Sequence, residues 1–155
     1  MQVTMHLRVD ATSFFDVLKQ SILADMKEAR GKKAKASNVH TGYSYKRYLK
    51  GKRDPEHAAT LRITSWDPPH TYASTVSNAS GVTAMSYEVV PCEGGGIDVT
   101  YTETFEGASA SQNVFQRAIG FLKQLPAKSR IKNTLQDIEG QILAEQYDEE
   151  DETGV

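Results

Sequence analysis

The sequence predicts an α+β fold in which a curved, antiparallel six-stranded sheet wraps around a long C-terminal helix, with one further helix between strands 1 and 2. Three observations predict it. Six segments read as strands, most with apolar side chains alternating with polar ones, the pattern of one buried face. Helical spacing of apolar residues occupies residues 13–30 and again 109–143. One strand precedes the first helix and five follow it with only turns between them, so the five pair antiparallel and the last helix is left to cover the sheet.

Val3, Met5, Leu7 and Val9 alternate with Gln2, Thr4, His6 and Arg8, which makes residues 1–10 a half-buried strand. Ser13 followed by Asp16 resembles a capping box, and Phe14, Phe15, Leu18, Ile22 and Met26 carry one helical face to Arg30. Gly31 stops that helix, and GKKAKASN is too polar to bury, so residues 31–38 read as a loop. The second strand spans Val39–Lys50 through Val39, Thr41, Tyr43, Tyr45, Arg47 and Leu49, followed by the turn GKRDPE. Ala59, Leu61, Ile63 and Ser65 mark a third strand, ended by Asp67-Pro68-Pro69 because proline donates no ladder hydrogen bond. In that phase Trp66 falls opposite Leu61 and Ile63, on the convex surface. His70–Asn78 is the fourth strand, and the turn Ser77–Gly81 leads into a fifth with Met85, Tyr87 and Val89 inward, closed by Pro91. Gly94-Gly95-Gly96 reverses the chain into the clearest strand, Ile97, Val99, Tyr101, Glu103 and Phe105 against Asp98, Thr100, Thr102 and Thr104. Val114, Phe115, Ala118, Ile119, Leu122, Ile131, Leu135, Ile138 and Ile142 then define the long helix, with a kink or break expected near Pro126.

A length of 155 residues fits one domain, set at residues 1–143, and 39% hydrophobic with 25% charged residues matches a soluble globular chain. The single Cys92 forms no internal disulfide, which fits a reducing cytoplasm. MQVTMHLRVD lacks a basic region followed by an apolar run, and no run of about 18 apolar residues occurs, so neither signal peptide nor membrane span is expected. Six of the 20 acids lie beyond Leu143, leaving 14 against all 18 basic residues, a net +4 on residues 1–143. Residues 144–155 read as an acidic, disordered tail, since they hold too little apolar surface to offset the entropy of ordering. Lys27–Arg53 has ten basic residues against Glu28 alone, a local +9 that attracts phosphate-bearing or acidic partners. No nucleic-acid motif accompanies it, so a solvated loop and strand edge is the preferred reading and nucleic acid is not an expected partner.

Four segments carry a family likeness: SWDPPHTYAS, the Tyr87-Glu88-Val89 strand, DVTYTETFEG, and a helix ending NTLQDIEGQI. Together they resemble the START-like, or SRPBCC, superfamily of helix-grip proteins, whose members include pollen-allergen, polyketide-cyclase and Hsp90-activator types. Within it the chain resembles a bacterial branch known as a domain of unknown function. The likeness covers about residues 2–143. Relatives often carry two short helices after the first strand; here the second falls in the polar GKKAKASN stretch. The resemblance implies a cavity between sheet and terminal helix, which in many relatives holds lipids, sterols, polyketides or other apolar molecules.

The strand phases place Tyr43, Tyr45, Arg47, Ser65, Tyr72, Ser74, Tyr87, Tyr101 and Glu103 inward, where a ligand pocket would set a few polar groups among apolar walls. A buried Arg47 or Glu103 needs a partner, and an Arg47–Glu103 ion pair would supply one; the pair could instead orient a ligand's polar head group. The tyrosines read equally as core fillers with hydrated hydroxyls. No catalytic constellation is legible. His6, His40, His57 and His70 are scattered without metal spacing, and no nucleophile turn accompanies the serines, so no catalytic residue, metal or cofactor is assigned. Cys92 lies beside Glu93, which raises rather than lowers a thiol pKa, and Gly94–Gly96 lacks the lysine and helix of a phosphate cradle.

Three functions remain: a non-enzymatic binder of a small, mainly apolar molecule; an interaction module resembling Hsp90 activators that uses the basic stretch Lys32–Arg53; and a cyclase- or hydratase-like enzyme with Glu103 as general base and Tyr45 or Tyr101 polarising a carbonyl. The first is preferred. No feature of the sequence points to an oligomeric state.

Overall fold

The computed structural model describes residues 1–31, 34–48, 58–107 and 127–153, with side chains described to Asp148. Six antiparallel strands form one sheet in the order β1-β6-β5-β4-β3-β2: β1 Gln2–Leu7, β2 Ser44–Tyr48, β3 Ala58–Asp67, β4 Thr71–Asn78, β5 Gly81–Pro91 and β6 Ile97–Gly107. Helix α1, Ala11–Arg30, lies against β2 and β5, and helix α2, Ala127–Thr153, packs on β1 and α1. The predicted helix start at Ser109, its first apolar residues Val114 to Leu122 and the Pro126 break lie outside the described residues, as do Leu49, Lys50 and the GKRDPE turn.

Alternation does what it should on the first and last strands. Leu7 and Val99 are fully buried, Val3 and Ile97 nearly so, and Phe105 is half-buried. The register that joins them, Val3 opposite Tyr101 and Leu7 opposite Ile97, puts all these side chains on the helix-covered face. There Phe14, Leu135 and Met26 are inaccessible to solvent, so helix and sheet share one core.

Helix α1 starts three residues earlier than its apolar pattern implies. The cap is Asp10, not Ser13: its carboxylate accepts from the Ser13 backbone N–H at 3.0 Å and from the Ser13 hydroxyl at 2.7 Å. Those hydrogen bonds, the hydroxyl's first, hold the Asp10 carboxyl below its ordinary value of 3.8. A lowered folded-state pKa means that the cap's contribution is complete above the ordinary carboxyl range and disappears as pH falls through the lowered value. Asp10→Ala is therefore expected to cost about 1 kcal/mol near neutral pH, with the gap to the parent protein closing in acid, as read by urea denaturation at both pH values. At the other end Gly31, at φ 68°, closes α1 by donating its N–H to Lys27 O at 2.9 Å, as the sequence implies.

Three further expectations change. Residues 36–38 form a 3-10 turn and β2 begins only at Ser44, because Val39 is buried by a turn whose backbone bonds run locally, Val39 N–H to Ala36 O at 3.1 Å. Helix α2 continues past Leu143 to Thr153, where disorder was expected. Ala144, Glu145 and Gln146 are good helix formers, and their exposed side chains need no apolar partner for the backbone to continue. The third correction is a bulge in β3. Ile63 pairs with Ser74 but Ser65 pairs with Ala73 and Trp66 with Tyr72, so one extra residue reverses the alternation. Trp66 therefore faces inward, 5.5 Å from the Phe15 ring and 5.6 Å from Tyr72, and Ser65 shares the outer face with Ala73.

Candidate functional site

The inner face carries a row of aromatic rings across four strands. Trp66 of β3 meets Tyr72 of β4, which stacks on Tyr87 of β5 at 6.1 Å and 10° between planes; Tyr87 meets Tyr101 of β6 edge-on at 5.0 Å. Cross-strand register accounts for the row, since Trp66 opposes Tyr72, Tyr72 opposes Tyr87 and Tyr87 opposes Tyr101. Helix α1 closes it from above with Phe15 on Trp66 and Phe14 at 6.0 Å from Tyr87.

Burial is uneven along that face. Towards β1 and the 97 end of β6 it is filled: Val89, Ile97 and Val99 are buried. Beyond the tyrosines lies a contiguous patch that is only half-buried. Leu61 opposes Val76, and Met85 opposes Glu103, with Phe105 beside them and the buried Ser74 opposite Met85. Tyr101 donates its hydroxyl to Glu103 Oε1 at 3.0 Å and lies 3.8 Å from Met85 Sδ. Burial first, and then the Glu103 carboxylate, push the Tyr101 phenol well above its usual range. Burial also raises Tyr72, and raises Tyr87 to about 12. All three phenols are therefore neutral hydrogen-bond donors at pH 7. Among the described residues, no buried side-chain nitrogen or oxygen lacks a hydrogen-bond partner.

The nine sequence-selected positions thus separate into groups. Tyr72, Ser74, Tyr87, Tyr101 and Glu103 share the central inner face. Ser65 leaves it through the β3 bulge. Tyr43, Tyr45 and Arg47 lie at the β2 edge, where α1 rather than β6 supplies their partners. Asp25 accepts from both the Tyr45 hydroxyl and the Arg47 guanidinium, and Arg30 donates to the Tyr43 hydroxyl at 2.7 Å. The expected Arg47–Glu103 ion pair is replaced by Arg47–Asp25, because the two strands carrying Arg47 and Glu103 occupy separate positions in the sheet, with β3, β4 and β5 between them. Burial, and next the bond to Asp25, raise the Tyr45 phenol. A shallow trough of about 450 Å³ runs along this edge, lined by Arg30, Tyr43, Ser44, Tyr45, Lys46 and Thr60.

Asp25 is the hub of that edge, so its loss should exceed the loss of Arg47. Asp25→Ala strands the buried Tyr45 hydroxyl and is expected to cost about 1–3 kcal/mol, whereas Arg47→Ala removes a half-exposed partner at about 0–1 kcal/mol. Adding Tyr45→Phe to Asp25→Ala should recover stability, since no stranded hydroxyl remains; denaturant midpoints of the three proteins decide it.

One cluster is assembled only by the fold. His6 of β1 faces Asp98 of β6 by register, its Nδ1 2.9 Å from Asp98 Oδ1, and Cys92 Sγ stands 3.6 Å from the same Nδ1. The three lie on the outer face, opposite Leu7 and Ile97. Burial first and then Asp98 raise the Cys92 thiol pKa, the direction expected from an acidic neighbour, although the neighbour is Asp98 rather than Glu93. The only sequence signal was the alternation that put His6 and Asp98 on polar faces; that these faces coincide depends on pairing across more than 90 residues. Of the basic stretch, Lys32, Lys33, Lys50, Lys52 and Arg53 lie outside the described residues, and so does His57.

Among the described residues no helix is long and apolar enough to cross a membrane. A family model described as a domain of unknown function (DUF3284) matches residues 1–123. No curated protein matches the sequence. Solved structures do. Ara h 8.0201 is similar at a TM-score of 0.57 and 17% identity, covering 93% of this chain and 97% of that one. Protein MLL2253 from Mesorhizobium loti is similar at 0.57 and 16% identity, covering 94% and 96%. A point mutant of norcoclaurine synthase from Thalictrum flavum, in complex with a transition-state analogue, is similar at 0.59 and 8% identity, covering 94% of each chain. At these identities the likeness shows the fold alone, a helix-grip along nearly the whole chain.

Proposed function

Because the chain belongs to the DUF3284 family, a domain of unknown function, its role has to be argued from its own surfaces, and we propose that it is a non-enzymatic binding protein that holds a small, mainly apolar molecule against the inner face of the sheet. The observation that carries this reading is the half-buried patch of Leu61, Val76, Met85 and Phe105 continuous with the buried aromatic row, at the edge of which the Ser74 hydroxyl and the Glu103 carboxylate provide the few polar contacts. A ligand pocket combines apolar walls with a small number of convergent polar groups. The tyrosine hydroxyls support a mainly apolar ligand, since buried polar groups already satisfied within the protein have little to gain from a polar one. Burial would then supply affinity at about 25 cal/mol per Å² of apolar area.

Glu103 is the residue that a cyclase- or hydratase-like reading would use as a general base, and the 3.0 Å contact with the Tyr101 hydroxyl gives that reading its one specific support. Native mass spectrometry of gently purified protein, combined with melting temperatures across a panel of lipids and aromatic compounds, separates the two. A binder shows an added mass or a raised melting temperature that survives Glu103→Gln for neutral apolar ligands. Turnover of a carbonyl compound that vanishes in Glu103→Gln would favour the enzyme, and no stabilisation by any apolar compound would overturn the binding reading.

A further inference from the structure

The outer face of the sheet, remote from the patch just described, carries a second constellation with its own chemistry. His6, Cys92 and Asp98 each offer one ligand atom, and these atoms all lie within 4.8 Å of one another. Two readings compete for such a group. A nucleophilic triad needs the base to bind its orienting acid through one ring nitrogen and the thiol through the other. Here both neighbours address the same nitrogen, Asp98 at 2.9 Å and Cys92 at 3.6 Å, so a relay through the ring has no geometry to run on. Close grouping of a nitrogen, a sulfur and an oxygen ligand atom is instead what a metal ion requires.

We propose that His6, Cys92 and Asp98 form a binding site for a thiophilic divalent cation of the zinc class, with a fourth coordination position open to water. Distances support it. Tetrahedral coordination at ordinary zinc bond lengths holds sulfur and nitrogen about 3.5 Å apart, and nitrogen and oxygen about 3.3 Å apart. The sulfur–nitrogen separation of 3.6 Å is already there, and the nitrogen–oxygen pair at 2.9 Å has to open by about 0.4 Å, which its two half-exposed side chains can do by small rotations.

The site is built by the backbone as well as by side chains. The β5–β6 hairpin closes through Cys92 N–H to Gly96 O at 3.0 Å and Gly95 N–H to Cys92 O at 3.1 Å, which brings Cys92 back beside Asp98. Gly96, at φ 78°, lies against the Cε1–Nε2 edge of the His6 ring, where a Cβ would come within 2.9 Å of both atoms and within 2.5 Å of Leu7 O. That contact turns the opposite edge, with Nδ1, toward the thiol and the carboxylate. On metal binding the Nδ1 proton moves to Nε2 through solvent and the Cys92 thiol gives its proton to water. The thiolate and carboxylate charges then balance the dication. A mixed nitrogen, sulfur and oxygen set suits zinc over magnesium or calcium, which take oxygen ligands.

Cobalt(II) titrated into the untagged full chain, reduced and freed of metal by a chelator, tests the site. The expected result is one equivalent bound per chain with a sulfur-to-cobalt charge-transfer absorption that zinc abolishes by displacement. Cys92→Ser should remove the absorption, and His6→Gln and Asp98→Asn should each weaken binding at least about tenfold, a loss of about 1.4 kcal/mol. These are exposed or half-exposed positions, and unchanged far-ultraviolet circular dichroism of the metal-free variants checks that they fold. Absence of thiolate absorption at stoichiometric cobalt, or zinc affinity unchanged in both Cys92→Ser and His6→Gln, overturns the proposal.

Discussion

Phe14→Ala is expected to destabilise the protein by about 3–5 kcal/mol, a large share of the roughly 5–15 kcal/mol that holds a domain of this kind together. Phe14 has no exposed surface, and its ring makes edge contacts with Phe15 at 6.1 Å and with Tyr87 at 6.0 Å. It is the point where α1 meets the aromatic row of the sheet, so truncation opens a void walled by rings that are themselves held in register by backbone pairing and cannot collapse inward. Asp16, two residues on and exposed, is the control: Asp16→Ala should change stability by no more than about 0.5 kcal/mol. Urea denaturation with an unchanged slope for both variants would read the difference directly; a midpoint for Phe14→Ala near that of Asp16→Ala would mean that α1 is not seated on the sheet.

Leu135→Ala is the second large effect, expected at about 2–5 kcal/mol. Leu135 is fully buried in α2, and with Ile138 and Ile142 it forms the stripe that docks this helix. Two of its immediate neighbours, Thr134 and Gln136, are exposed, so Gln136→Ala should be near neutral. The pair of variants asks whether the terminal helix belongs to the cooperative unit. Loss of α2 alone would appear as a separate early transition in helix signal, whereas a single shifted transition shows that helix and sheet unfold together.

How much of this was legible can be judged position by position. On β1, and on β6 apart from Glu103, every second residue is apolar, so the buried face of Val3, Leu7, Ile97 and Val99 follows from period two alone. The same logic failed at Trp66 and Ser65, because a bulge inserts one residue and reverses every later side chain of the strand, and neither Thr64 nor Ser65 announces it. It failed at Arg47 for another reason. An inward guanidinium needs an acid, and strand phase points only to acids on other strands, while Asp25 comes from a helix whose rotation over the sheet is set by Phe14 and Phe15 packing and not by any local signal. His6, Cys92 and Asp98 were each visible and each innocuous; only the β1–β6 pairing and the hairpin at Gly96 make them one cluster. The inner-face tyrosines sit between these cases. Their direction was readable, but their mutual stacking needed the register.

Uptake of an apolar molecule is best measured through the only tryptophan of the chain, Trp66, which ends the aromatic row 5.6 Å from Tyr72. A fluorescent apolar probe whose absorption overlaps tryptophan emission should bind saturably, one per chain, with excitation passed from Trp66 to the probe. Met85→Trp, which fills the half-buried patch and adds a second donor there, should weaken binding by about tenfold or more while leaving the fold intact. A non-saturable signal, or equal affinity in the parent and Met85→Trp, would contradict a binding role for the inner face.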